Sequence, residues 1–145
     1  MSNSFCGPYA VGHLLDISIK DACEKIRSIT GSRSVFGVAR STMDEIFGDR
    51  HYTRGGRAHV TVLNFQRNNA DGRYLLELSD HYIVLDGEWI YDNSGCGKAE
   101  RHHLRRHWVM AAWQIEYRGW PTSDTNQARL DNLAVAATEF IAANT

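Results

Sequence analysis

His81-Tyr82-Ile83-Val84-Leu85-Asp86-Gly87-Glu88-Trp89-Ile90-Tyr91-Asp92 is the stretch that fixes the fold class. Two apolar, branched and aromatic runs flank Asp-Gly, a pair that reads as a tight hairpin turn because glycine enters the left-handed region freely. With Asp86 and Gly87 as the loop, Leu85 pairs with Glu88, and counting back from the turn sets His81 opposite Asp92. Directly opposed residues share a sheet face, with Cα atoms about 4.5–5.5 Å apart. The expected face carries Ile83 and Ile90 with them and meets the first helix, leaving the imidazole at its edge.

Working outward, Tyr74–Leu78 reads as a strand before this hairpin, with a turn at 68–72. Val60, Val62, Leu63 and Phe65 suggest one more strand, and 108–117 another. Upstream the pattern is helical. Pro8 suits the first turn of a helix running through Leu15. Ser18 with Asp21 predicts a capped second helix, its apolar face formed by Ile19, Ala22, Cys23, Ile26 and Ile29, with Gly31 to end it. Cys23 thus reads as an inert core thiol. Ser41 and Asp44 repeat the capping signal for a short helix to Phe47. A last amphipathic helix is expected from about 125 to 143, striped by Leu130, Leu133, Ala134, Ala137 and Ile141. The expectation is an α+β fold, N-terminal helices on an antiparallel sheet with a C-terminal helix, in a single domain over residues 1–145.

The chain has 145 residues and a formal net charge of −1, which gives no electrostatic case for nucleic acid or a membrane surface as partner. No apolar run approaches the ~20 residues of a membrane span, and the N-terminus lacks the features of a secretory signal. Three scattered cysteines (Cys6, Cys23, Cys96) do not suit a disulfide framework, so a cytoplasmic, reducing location is expected, with a thiol free for chemistry.

Cys6 is that thiol. It stands just before a helix start, where free N–H groups and the positive end of the helix dipole favour thiolate and can bind an oxyanion. Gly7 would let a substrate backbone approach closely. With His81 as base and Asp92 as orienting carboxylate, the parts suffice for acyl transfer through a thioester. Charged neighbours are expected to outweigh burial and keep His81 protonated beside a Cys6 thiolate.

Cys6-Gly7-Pro8 at a helix start, then a strand opening on His81 and an Asp92 after the next, resembles the papain-like cysteine peptidase superfamily, nearest to compact bacterial and phage enzymes such as the bacteriocin-leader-processing peptidases. The resemblance covers Cys6 to Asp92 and rests on about a dozen residues. It implies Cys6 as nucleophile, His81 as general base and then acid, Asp92 as third member, a peptide or protein substrate and no cofactor. Two departures are visible. The glutamine that supplies an oxyanion donor upstream of the cysteine is missing, leaving Asn3 as the expected substitute. No propeptide precedes Cys6, so zymogen control is not expected.

Two rival readings stand beside this one. Cys96, His102, His103 and His107 lie within twelve residues, but Arg101, Arg105 and Arg106 among them oppose a divalent ion, so no metal is expected. That basic segment reads as solvated or substrate-facing. The same fold could also serve, without catalysis, as a binding or inhibitor module, phage-encoded in one version.

Overall fold

A computed structural model describes residues 5–55 and 59–115. These fall within Met1–Ile115, the first of the two units into which the chain divides. The helix expected at 125–143 and the donor expected at Asn3 lie outside the described residues.

Helix α1, Cys6–Leu15, starts two residues before the expected Pro8. Pro8 is its third residue, and the first closed helical bond is Tyr9 N–H to the Phe5 carbonyl at 2.9 Å, so the missing proline N–H leaves no bond unmade. Helix α2, Ile19–Thr30, is capped as its sequence predicts: Ser18 Oγ accepts from the Asp21 N–H at 3.0 Å, and Gly31 closes it at φ 71°. Its buried face is Ala22, Cys23 and Ile26. Helix α3, Arg40–Phe47, begins at Ala39 without a side-chain cap. Asp44 is drawn elsewhere, accepting from Arg50 and from the Trp113 indole N–H.

The strands are β1 (Tyr52–Thr53), β2 (Arg73–Leu78), β3 (His81–Asp86), β4 (Trp89–Tyr91), β5 (Gly97–Lys98) and β6 (Ala111–Gln114). They form one antiparallel sheet in the order β1-β6-β2-β3-β4-β5, so the layout is α+β. Both faces are covered, which explains why Tyr82–Leu85 are buried without alternation. Leu75, Tyr82, Val84 and Trp113 pack with α1, α2 and α3. Leu76, Leu78, Ile83, Leu85 and Ile90 form a second cluster with Val62 and Phe65. The face of Ile83 and Ile90 is therefore not the one that meets α1, contrary to the sequence expectation.

The region around 60–65 also departs from expectation. Residues Val62–Asn68 form helix α4, capped by Thr61, whose Oγ1 accepts from the Asn64 N–H at 3.1 Å. Val62, Phe65 and Gln66 are the buried residues, a helical spacing that the valines' strand preference masks. The strand expected from Trp108 begins at Ala111; Trp108 makes only an isolated bridge with Thr61.

In the β3–β4 hairpin, Asp86 pairs with Trp89 and Leu85 with Ile90, so the loop is Gly87-Glu88, with Gly87 at φ 57°. Asp86 stays in the ladder because it is opposite Arg73 on β2, their side chains 3.1 Å apart as an ion pair. The register thus moves by two residues from the expected one. An even shift preserves the faces.

Candidate active site

Cys6 is the first residue of α1 and 8% exposed. Its N–H and that of Gly7 precede the first closed helical bond and have no partner inside the helix. Gly7 is buried, and a Cβ there would lie 2.7 Å from Val38 Cγ2. The absent side chain therefore makes room for Val38, where close approach of a substrate was expected; Gly7 is not among the residues lining the adjoining cleft.

His81 opens β3 after the Ser79-Asp80 turn. Asp92 follows the end of β4 and is not its cross-strand partner, yet the two meet: His81 Nε2 lies 2.6 Å from Asp92 Oδ1. Leaving the strand lets Asp92 cross the two-residue displacement. The carboxylate is fully covered, and Ser94 Oγ donates to its other oxygen. Burial pushes the Asp92 carboxyl up, but hydrogen bonds from His81 and Ser94 outweigh it and hold it below the usual range.

With Nε2 on Asp92, Nδ1 is the nitrogen left for Cys6. The hydrogen bond to Asp92 and, next, the one to the Cys6 thiol lift the His81 pKa to about 9 against the opposing effect of burial. The imidazole is charged at neutral pH. A thiol, an imidazolium and a buried carboxylate are thus brought together from positions 86 residues apart, Cys6 to Asp92.

Cys6 and His81 border a cleft of about 520 Å³. Phe36, Gly37 and Val38 form part of its wall, as do Leu78–Asp80, Arg40 and Met110. The Phe36 wall is tied down from beneath: Tyr82 Oη donates to the Val38 carbonyl at 2.7 Å and lies 3.3 Å from Glu77 Oε2. Glu77 in turn accepts from Arg40 Nε at 2.6 Å. Phe36, 55% exposed, meets Phe5 edge to face at 5.5 Å, giving the mouth an apolar rim next to Cys6.

Of the other residues singled out, Cys23 is buried in the first cluster, as its helical stripe predicts. Cys96 is exposed, its sulfur 3.4 Å from Tyr9 Oη and 3.7 Å from the Asp92 carbonyl. His102 has both ring nitrogens engaged: Nδ1 accepts from the Leu104 N–H at 3.1 Å, and Nε2–H donates to the Gly95 carbonyl at 2.8 Å. It has no lone pair left for a metal, and among the described residues no three His, Cys, Asp or Glu are placed to share one. Arg101 and Arg106 are exposed, whereas Arg105 bonds the His102 carbonyl. Among the described residues no helix is long and apolar enough to cross a membrane.

Sequence reasoning did not find Ser94, Glu77, Arg40, Tyr82 or Phe36. Ser94 had a signal, standing two residues after a candidate carboxylate. Arg40 and Glu77 had none, being 37 residues apart. No family model, curated protein or solved structure matches the chain.

Proposed function

We propose that this chain is a cysteine hydrolase of the papain-like kind, acting on a peptide or other amide bond of a peptide or protein. The observation that carries the reading is that Cys6, at the N-terminus of α1, and His81 border one cleft, with the buried Asp92 hydrogen-bonded to His81.

In this scheme the Cys6 thiolate attacks the substrate carbonyl carbon, and the electron pair of the C=O moves to oxygen. The N–H of Cys6, which has no partner inside the helix, is the candidate donor to that oxyanion. His81 Nδ1–H then protonates the departing amine as the C–N bond breaks, leaving a thioester and a neutral imidazole. The imidazole next takes a proton from water, whose oxygen adds to the thioester carbon. Collapse releases the acid and restores the thiolate–imidazolium pair. Asp92 keeps the ring aligned and favours its charged form throughout, and Ser94 fixes Asp92. All three cysteines are free, which suits a reducing compartment such as the cytoplasm.

The second reading, a non-catalytic binding or inhibitor module, draws on the 8% exposure of Cys6, low for a residue that must meet a substrate. Iodoacetamide separates the two. Under the hydrolase reading Cys6 labels at least about tenfold faster at pH 7 than exposed Cys96, by virtue of its thiolate. Labelling of Cys6 no faster than that of buried Cys23 would leave the module reading in its place.

A further inference from the structure

The cleft holds a charge that the hydrolytic scheme does not use. Besides the Cys6–His81 pair that the scheme uses, its charged lining residues are Arg40, Glu77 and Asp80. Arg40 and Glu77 neutralise one another at 2.6 Å, and His81 is matched by Asp92 behind it. Asp80 remains. It is exposed, and among the described residues it makes no hydrogen bond or ion pair.

Asp80 sits in the left-handed region at φ 55°, as the second residue of the two-residue turn between β2 and β3. Asparagine or glycine would satisfy that backbone equally well, and neither carries charge. The carboxylate is therefore not needed for the turn. Its position in the cleft has chemical meaning because it is the chain neighbour of His81, with Cα atoms about 3.8 Å apart. The acid that protonates the departing amine must lie on the leaving-group side of the scissile bond, and Asp80 directly precedes that acid in the chain and lines the same cleft.

Resting on the hydrolase reading, we propose that Asp80 selects substrates bearing a lysine or arginine side chain just beyond the scissile bond, on the leaving-group side. The long, flexible stem of such a residue can bring its cation to an exposed carboxylate while the backbone stays at Cys6.

The test uses bromoacetyl derivatives of lysine amide, glutamine amide and glutamate amide on the full chain. The Cys6 thiolate displaces bromide, forming an S–C bond as C–Br breaks. The amino acid then extends from the carbonyl through its amide nitrogen, as a leaving-group residue does. Rates at Cys6 are read by peptide mass spectrometry. The lysine reagent is expected to react about fivefold faster than the glutamate reagent, the size of an exposed ion pair gained against like-charge repulsion. In Asp80→Asn, whose side chain tolerates the left-handed backbone, that preference should vanish while the glutamine reagent keeps its rate. The same order of reagents in Asp80→Asn as in the wild type, or no order in either, overturns the selection while the hydrolase reading stands. A glutamine reagent that labels Cys6 no faster than Cys23 overturns the hydrolase reading itself, and the inference with it.

Discussion

Two histidines, His81 at the start of β3 and His102 in the loop after β5, sit near opposite ends of the 92–95 turn and are held in opposite ways. His81 has a carboxylate on one nitrogen and a thiol at the other, and both neighbours favour the charged ring. His102 gives one N–H to a carbonyl and accepts a backbone N–H on the other nitrogen, which requires a neutral ring there. Both are at least half-buried imidazoles within one domain. Their partners alone make the first a candidate for proton transfer and the second a brace for the loop. Residue type identifies where chemistry can occur, and the bonding partners decide whether it does.

The sharpest way to break this contrast is to delete each ring. His81→Ala should lower hydrolysis by at least about 10³-fold, and at neutral pH it should also cost stability because the buried Asp92 loses its partner, so turnover is compared on protein that a denaturation curve shows to be folded. Comparable activity in the two proteins would end its catalytic role. Asp92→Asn should be milder, about 10- to 100-fold, because the ring keeps a hydrogen-bonding neighbour but loses the charge that holds it protonated. It should also move the pH profile. His81 is an imidazolium below about pH 9, so Cys6 alkylation driven by the ion pair should change character only above that value in the wild type. Without the Asp92 charge, the upper limit should fall toward the ordinary value of 6.5.

Folding reports the same shift from the other direction. Because His81 binds its proton more tightly folded than unfolded, its contribution is whole below pH 6.5 and gone once pH passes about 9. That contribution is on the order of 3 kcal/mol, and urea unfolding at pH 6 and pH 9.5 should differ in that direction for the wild type and much less for Asp92→Asn.

His102→Ala should act on stability with the profile unmoved. Removing the ring strands the Leu104 N–H and the Gly95 carbonyl, a loss of about 2–3 kcal/mol. A shifted alkylation profile in that variant would show that the brace acts on the site as well. Ser94→Ala is the smallest change: a few-fold loss of turnover, since Asp92 keeps its bond to His81 and loses only the one that fixes its outer oxygen. An unchanged rate would make Ser94 a surface residue that happens to touch the carboxylate.

How much of this was legible in the chain varied with the range of the interaction. The helices with local caps were readable, as at Ser18 and Gly31, because the signal and its consequence lie within one turn. The hairpin was readable as a hairpin but misplaced by two residues, since Asp-Gly announces a turn while the Arg73–Asp86 pair, formed with a different strand, decides which residues occupy it. The His81–Asp92 contact survived that error because Asp92 lies free of the ladder, so its side chain is not bound to the strand register. Residues 60–65 misled because valine favours strands in isolation, whereas the Thr61 cap and burial of Phe65 favour a helix. That Cys6 reaches His81, 75 residues along the chain, could be expected only through resemblance. No local pattern encodes it.

The margins of the sheet carry a different consequence. Among the described residues the strands at the two ends of the sheet, β1 and β5, are only two residues long, while the longest strands, β2 and β3, lie between them. A free strand edge is a template on which a neighbouring molecule can lay its own backbone, and a two-residue edge offers too few consecutive amides to hold one. At these two edges, crowding the protein to high concentration should therefore bring its copies together through side chains and not by stitching one sheet onto the next.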